Sequence, residues 1–369
     1  MRAASASIRS GQSGPGAASG RPIRLMLVDD SMVARAVLTR MIEADGGFEI
    51  VAVAGTAEHA LDALKHVDVD VIILDLEMPG EGGLKSIPKI IDAANGAQVM
   101  IVSSLADEGA EATVAALALG AADTLPKPGT GRFNGRFSEV LIERLKALGV
   151  SHEQHVRPQP HSMGVAYSLR SPIDAKLELL AIGASTGGIH ALATFFAALP
   201  ERIGAPILVT QHLPPAFMPV FARQLAVAAK REAVIAEDGM LLVPDRIVIA
   251  PGEKHVTVER HGGRLVARLS GIKVSSGCLP SVDPMLASAA EVLGTGALGV
   301  ILTGMGKDGL EGARRLIEAG GAVMAQNEAT SAVWGMPRAV VEAGLSCAVL
   351  PPDALARRVA VRATEVTCK

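Results

Sequence analysis

Leu179–Leu192 reads LLAIGASTGGIHAL, and the fold turns on how this stretch is understood. An apolar run breaks at Gly183-Ala184-Ser185-Thr186-Gly187-Gly188, and an amphipathic segment follows. A strand running into a glycine turn and then a helix is the repeating unit of a doubly wound α/β sheet. The turn lifts one hydroxyl to the carboxyl end of the strand, with the free N–H groups of a helix start beside it. Gly183, Ser185 and Gly187 have nucleophile-elbow spacing, in which glycine lets the backbone turn sharply around an exposed serine. Two plainer readings fit the same residues. Glycines after a strand pack a helix closely, and a Gly/Ser/Thr turn cradles phosphate at a helix N-terminus. The residues at the other strand ends must decide.

Downstream, strands are predicted at Leu177–Ala184, Pro206–Thr210, Arg246–Ile249, Leu298–Leu302 and Ala322–Ala325. Helical periodicity runs through Ile189–Ala198, Phe217–Lys230, Pro284–Leu293, Leu310–Ala319 and Pro352–Val366. His255–Leu269 alternates about Gly262-Gly263, a two-residue hairpin signal. The expectation is a doubly wound parallel sheet carrying an antiparallel hairpin. Its strand ends deliver Ser185, then Gln211-His212, then Met305 and Asp308 in ALGVILTGMGKDG. Carboxyl ends of neighbouring parallel strands are close in space, so a serine, a histidine and an aspartate can meet there. Serine needs a neutral imidazole to take its proton, and the imidazole needs a carboxylate to fix its tautomer. The Gly304–Gly306 turn can offer the Met305 N–H to an oxyanion. Asp283 and Asp238 are rival acids. An order of Ser185, then Asp238 or Asp245, then His255 is the hydrolase alternative. His190, His255 and His261 are expected to be packed, structural or solvated.

Upstream, residues 23–149 repeat the strand–helix alternation five times, with strands at Ile23–Val28, Ile50–Ala54, Val71–Leu74, Val99–Val102 and Thr124–Leu125. Asp29 and Asp30 follow the first, Asp75 the third, Ser103 the fourth and Lys127 the fifth. Three converging carboxylates repel unless a cation sits among them, and an all-oxygen set suits Mg²⁺. With Ser103 and Lys127 facing the same group, the set is complete for phosphoryl transfer onto Asp75. Taken singly, each of these residues is an ordinary cap or turn residue. In register at successive strand ends they are a site.

The chain has 369 residues, enough for about two domains. It is 49% apolar with one Trp, one Tyr and seven Phe, so aliphatic cores are expected. A net charge of −3 offers no case for nucleic acid or an acidic membrane. Cys278, Cys347 and Cys368 lack metal or disulfide spacing. Every long apolar run is cut by Gly, Asp or Pro, so no direct membrane insertion is expected and the protein reads as cytoplasmic. Residues 1–22 read as a disordered extension and 150–175, with His152, His155 and His161, as a solvated linker.

VDDS at Val28–Ser31, LDLEMPG at Leu74–Gly80, VSS at Val102–Ser104 and LPKP at Leu125–Pro128 resemble a response-regulator receiver domain of flavodoxin-like fold. The resemblance implies Asp75 as phospho-acceptor, Asp29, Asp30 and Asp75 as Mg²⁺ ligands, Ser103 as switch hydroxyl and Lys127 as phosphate partner. It also implies a cis bond before Pro128. IGASTGG at Ile182–Gly188, QHLP at Gln211–Pro214, APGEKH at Ala250–His255, SVDPM at Ser281–Met285 and LTGMGKDG at Leu302–Gly309 resemble the catalytic domain of the chemotaxis-type (CheB) protein-glutamate methylesterases. That resemblance, over residues 177–366 of a domain expected at 176–369, implies Ser185 as nucleophile, His212 as base and Asp308 as its partner. Met305 N–H would be the oxyanion donor and Thr186 an assisting hydroxyl. No cofactor is implied for the ester chemistry. The substrates would be methyl-accepting chemotaxis receptors, demethylated at glutamate and deamidated at glutamine, and a chemotaxis histidine kinase would phosphorylate Asp75. Two other classes are a non-catalytic signalling adaptor and a hydrolase of small esters switched by a receiver.

Overall fold

The computed structural model describes residues 21–80, 82–103, 107–128, 135–156, 169–171 and 175–364. The expected extension, apart from Arg21 and Pro22, lies outside them, as do the linker residues 157–168.

The N-terminal sheet is β1 (Ile23–Val28), β2 (Phe48–Ala54), β3 (Val71–Leu74), β4 (Gln98–Ser103) and β5 (Asp123–Pro126). Its helices are α1 (Met32–Glu43), α2 (Ala57–Ala63), α3 (Gly83–Ala93), α4 (Asp107–Ala118) and α5 (Gly135–Val156). The strand order is β2-β1-β3-β4-β5, parallel throughout. Such a sheet is covered by helices on both faces, so β3 is a continuous buried run, VIIL. Ser31 caps α1 by accepting from the Ala34 N–H at 3.2 Å. Helix α5 runs on to Val156, past the expected border at residue 149, although among its described side chains the buried apolar residues end at Leu148.

The larger sheet contains β6 (Leu179–Ala184), β7 (Ile207–Gln211), β8 (Ala233–Ile235), β9 (Ile247–Ile249), β12 (Ala297–Ile301), β13 (Ala322–Gln326) and β14 (Ala348–Leu350). The antiparallel hairpin is β10 (His255–His261) and β11 (Arg264–Ser270). Helices α6 (Gly188–Ala198), α7 (Met218–Ala229), α8 (Val282–Leu293), α9 (Leu310–Glu318), α10 (Met336–Glu342) and α11 (Pro352–Thr364) complete it. The seven strands lie in the order β14-β13-β12-β6-β7-β9-β8, all parallel. The strands that sequence patterning misses, β8 and β14, are its two edges. Each is three residues long and mostly half-buried, too short for a periodic signal. Gly262 and Gly263 both adopt positive φ (55° and 79°), the mirror-image turn that a two-residue hairpin requires.

In β6 every residue is buried, which marks it as the centre of the sheet. The chain leaves β6 through β7 on one side and returns through β12 on the other. A crevice therefore opens at the carboxyl end of β6, where ligands bind in open α/β sheets. Helices α8 and α9 pack closely below it. A Cβ on Gly312 would sit 2.6 Å from the Asp283 carbonyl oxygen and 2.8 Å from the Leu286 Cβ. Overpacking of this kind costs about 1–3 kcal/mol. Gly312→Ala is expected to lower the midpoint of thermal unfolding by about 3–10 °C in calorimetry, and an unchanged midpoint would show that the two helices can part freely.

Candidate active site

Ser185 stands one residue beyond β6 and His212 one beyond β7, while Asp308 lies in the turn after β12. His212 Nδ1 is 3.1 Å from Ser185 Oγ, and its Nε2 is 2.8 Å from Asp308 Oδ2. With Nε2–H directed at a carboxylate, Nδ1 keeps its lone pair toward the serine. Asp308 is only 2% exposed. Its Oδ1 accepts from Ser281 Oγ at 2.5 Å and its Oδ2 from the Val282 N–H at 2.7 Å. Burial works against ionisation, yet His212 and these donors outweigh it and hold the Asp308 carboxyl down at about 2.

The serine turn is held on all sides. Ser185 N–H donates to the Thr303 carbonyl at 3.0 Å, and the Ser185 carbonyl accepts from Gln211 Nε2 at 2.9 Å. Gly187 has φ 75°, a conformation that favours glycine. The Gly304–Gly306 turn closes against the serine: a Cβ on Gly304 would lie 2.8 Å from the Ser185 Cβ. Met305, half-buried, sits at the tip of that turn.

The rival residues are placed elsewhere. His255 is fully buried, its Nε2–H donating to the Ile272 carbonyl at 2.7 Å and its Nδ1 accepting from the Ser281 N–H at 2.9 Å. It therefore braces the residue that braces Asp308. Asp238 accepts from the Leu269 N–H and Arg268, and Asp245 from the Ile203 and Gly204 N–H groups, so neither acid serves a histidine. His190 Nδ1 approaches the Ala118 carbonyl at 3.2 Å. Asp283 accepts from the Gly312 N–H at 2.8 Å. Sequence reasoning missed Ser281 and Val282 as partners of Asp308, although both lie in the SVDPM motif. A serine at a helix start reads as a cap, which Ser281 also is.

In the N-terminal domain, Asp29, Asp30 and Asp75 bring carboxylate oxygens within 4.8 Å of one another. Lys127 Nζ lies 2.8 Å from Asp29 Oδ2 and 2.6 Å from Asp75 Oδ2. Burial holds the Asp75 carboxyl above its ordinary range despite Lys127. Burial acts to lower Lys127, but the two carboxylates outweigh it and raise the ammonium. Ser103 Oγ is buried without a hydrogen-bond partner among the described residues. The cis peptide bond among the described residues is Leu279–Pro280, not the bond before Pro128.

The two sites meet through β5. The Ala122 carbonyl accepts from the Gly187 N–H at 2.6 Å, taking a donor at the start of α6. Asp123 Oδ2 accepts from Thr186 Oγ1 at 2.9 Å, while its Oδ1 is paired with Arg144 at 2.8 Å. Met305, Ala332 and Val333 join the apolar cluster built on Leu125, Phe137 and Leu141. The cavity left between Ser185, His212, Ala122 and Asp123 is about 40 Å³, room for a water or two. Arg223 Nη2 and Glu111 pair across the same seam at 2.6 Å. Nothing in the sequence points to Asp123 or Arg144, because their meaning lies wholly in this contact.

A parallel α/β domain with a Ser–His–Asp relay at its crossover, roofed by a flavodoxin-like domain with an acidic pocket, defines a response regulator whose effector has hydrolase architecture. Family models agree: residues 25–132 match the response regulator receiver domain and 180–359 the CheB methylesterase. A protein-glutamate methylesterase/protein-glutamine glutaminase of Azospirillum brasilense is 39% identical over 360 residues, covering 91% of each chain. One from Caulobacter vibrioides is 41% identical, covering 93% of this chain and all of its own. The crystal structure of the Thermotoga maritima CheB methylesterase catalytic domain is 35% identical with a TM-score of 0.49, covering 51% of this chain and 99% of its own. The chain belongs to the protein-glutamate methylesterase/protein-glutamine glutaminase family. Among the described residues no helix is long and apolar enough to cross a membrane.

Burial, reinforced by the neighbouring Asp308 charge, raises the Asp283 carboxyl from 3.8 to about 6. A raised carboxyl favours the folded chain while protonated. Wild type therefore loses stability as pH rises through this interval, and the loss is complete above it. Asn at this position cannot ionise. Discounted for the partial exposure of the group, the gain of Asp283→Asn over wild type should grow by about 0.5–1 kcal/mol, or about 1–3 °C, between pH 5 and pH 8. A difference in midpoint that stays flat with pH would separate Asp283 from the Asp308 charge.

Proposed function

We propose that the chain is a phosphorylation-gated esterase that hydrolyses glutamate γ-methyl esters on methyl-accepting chemotaxis receptors and deamidates particular receptor glutamines. The relay of 3.1 and 2.8 Å through His212, lying beneath the receiver, carries this reading. Ser185 Oγ attacks the ester carbonyl as its proton passes to His212 Nδ1. The imidazolium is stabilised by ionised Asp308 and returns the proton to the leaving methoxide, releasing methanol. Water, activated by the same imidazole, hydrolyses the acyl-enzyme to glutamate. With a glutamine substrate the leaving group is ammonia. The Met305 N–H and the start of α6 supply positive potential to the oxyanion, and Thr186 assists beside it.

In the resting chain that potential is engaged by the receiver. Ala122 and Asp123 hold Gly187 and Thr186, so a receptor helix has no access. A chemotaxis histidine kinase in the cytoplasm would phosphorylate Asp75. The donor set fits the family's metal: Asp29, Asp30 and Asp75 would hold Mg²⁺, which offsets the charge of the incoming phosphoryl group. Lys127 and the unpartnered Ser103 hydroxyl would turn to the new oxygens. Ser103 pairs with Pro126 in the sheet, and the Lys127 N–H donates to the Ser103 carbonyl at 2.8 Å. Movement there pulls on β5, the strand whose start engages Thr186.

Methanol release from a methylated receptor fragment tests both halves. Ser185→Ala is expected to fall to background and Asp308→Asn by about 10³–10⁴-fold in kcat. A small phosphodonor with Mg²⁺ should stimulate wild type but not Asp75→Asn, and Asp123→Ala should raise the unstimulated rate. Release that ignores Ser185 would reject the mechanism, and stimulation that persists in Asp75→Asn would reject the gate. No release from wild type favours an adaptor, and turnover of small esters alone favours the other hydrolase.

A further inference from the structure

The ester mechanism leaves Cys278 unused, although this thiol lies beside the relay. One ring nitrogen of His212, the Cys278 sulfur and an Asp308 oxygen all lie within 4.8 Å of one another. Two three-donor clusters occur among the described residues, and they differ in kind. The receiver cluster is all carboxylate, the donor set of a hard cation. The second offers nitrogen, sulfur and oxygen, a borderline set that suits Zn²⁺ and disfavours Mg²⁺.

We propose that His212, Cys278 and Asp308 form an inhibitory site for Zn²⁺. Tetrahedral zinc holds such donors about 3.3–3.8 Å apart, so closure needs only a shift of about an ångström. Cys278 can supply it, since 271–280 form no helix or strand. His212 and Asp308 need to part slightly from 2.8 Å. Charge also favours binding: one thiolate and one carboxylate neutralise the ion in a site where Asp308 is already ionised. Burial and the Asp308 charge keep the free thiol protonated, so the metal displaces that proton to solvent as the zinc–sulfur bond forms. The side chain of His212 is 18% exposed and Cys278 half-buried, which leaves a way in.

Inhibition follows from the imidazole. Zinc on Nε2 requires the other neutral tautomer, in which the single ring proton has moved from Nε2 to Nδ1. Nδ1 then has no lone pair for Ser185. Zinc on Nδ1 blocks the serine directly. The fourth position stays open to water, as in three-ligand zinc sites.

The inhibitory consequence rests on the esterase reading, whereas binding does not, so the two are measured separately. Full-length protein, freed of metal and kept in excess Mg²⁺, is titrated with Co²⁺ as a spectroscopic stand-in for Zn²⁺. A thiolate-to-cobalt charge-transfer band in the near ultraviolet is expected in wild type and absent in Cys278→Ala. In methanol release, with each protein normalised to its own zinc-free rate, the Zn²⁺ midpoint should rise at least about tenfold in Cys278→Ala. A cobalt band that survives in Cys278→Ala places the thiolate elsewhere and overturns the site. A band lost without any change in the Zn²⁺ midpoint keeps the site but overturns its inhibitory role. A chain without ester activity would still give the cobalt result.

Discussion

An ionised carboxylate with almost no water around it is the constraint on which the catalytic domain depends. Asp308 can stay charged only because His212, Ser281 and the Val282 N–H replace its hydration. Each partner has its own support. Ser281 is fixed by His255, which is itself held by the Ile272 carbonyl that follows the hairpin. The Val282 N–H comes from the first turn of α8, whose position depends on close approach to α9 through Gly312. The hairpin that decorates the parallel sheet is thereby structural support for one carboxylate. Withdrawing any partner would strand a buried charge, which costs more than the lost hydrogen bond.

A second constraint is that the receiver meets the carboxyl end of the catalytic sheet through the amino-terminal end of its strand β5. The receiver's acidic pocket lies at the opposite, carboxyl end of that same strand, so one strand links the two sites. Strand β5 is only four residues long. One end abuts Lys127, which binds Asp29 and Asp75, and the other holds Thr186 through Asp123. Beside these polar pairs the contact has two apolar parts: Met305, Ala332 and Val333 on the Leu125–Phe137–Leu141 cluster, and Ala110, Val114 and Leu117 of α4 in one cluster with residues of α6 and α7.

Much of this organisation is legible in the chain itself. Apolar runs alternating with helical periods identify both parallel sheets, because strands buried on both faces are continuous stretches such as VIIL and LLAIGA. Polar residues that interrupt at the carboxyl ends stand out against that background, which is why Asp29, Asp75, Lys127, Ser185, His212 and Asp308 can be singled out. The motifs resembling the receiver and methylesterase families cover the same positions. Edge strands β8 and β14 escape notice because three half-buried residues carry no period.

Local sequence thus determined the elements and the residues at their ends, since both follow from periodicity and from the residue types that turns demand. Sequence favours Asp308, in its glycine-lined turn, over its rivals Asp283 and Asp238 as the acid for His212, but sequence separation says nothing about distance across a sheet. Tertiary structure decided it by setting β12 beside β6 and by turning Asp238 and Asp283 to other donors. Tertiary structure alone also decided that Asp123 meets Thr186 and that Cys278 lies beside the relay. Each of these depends on how separately folded units pack, and no local pattern of residues encodes that.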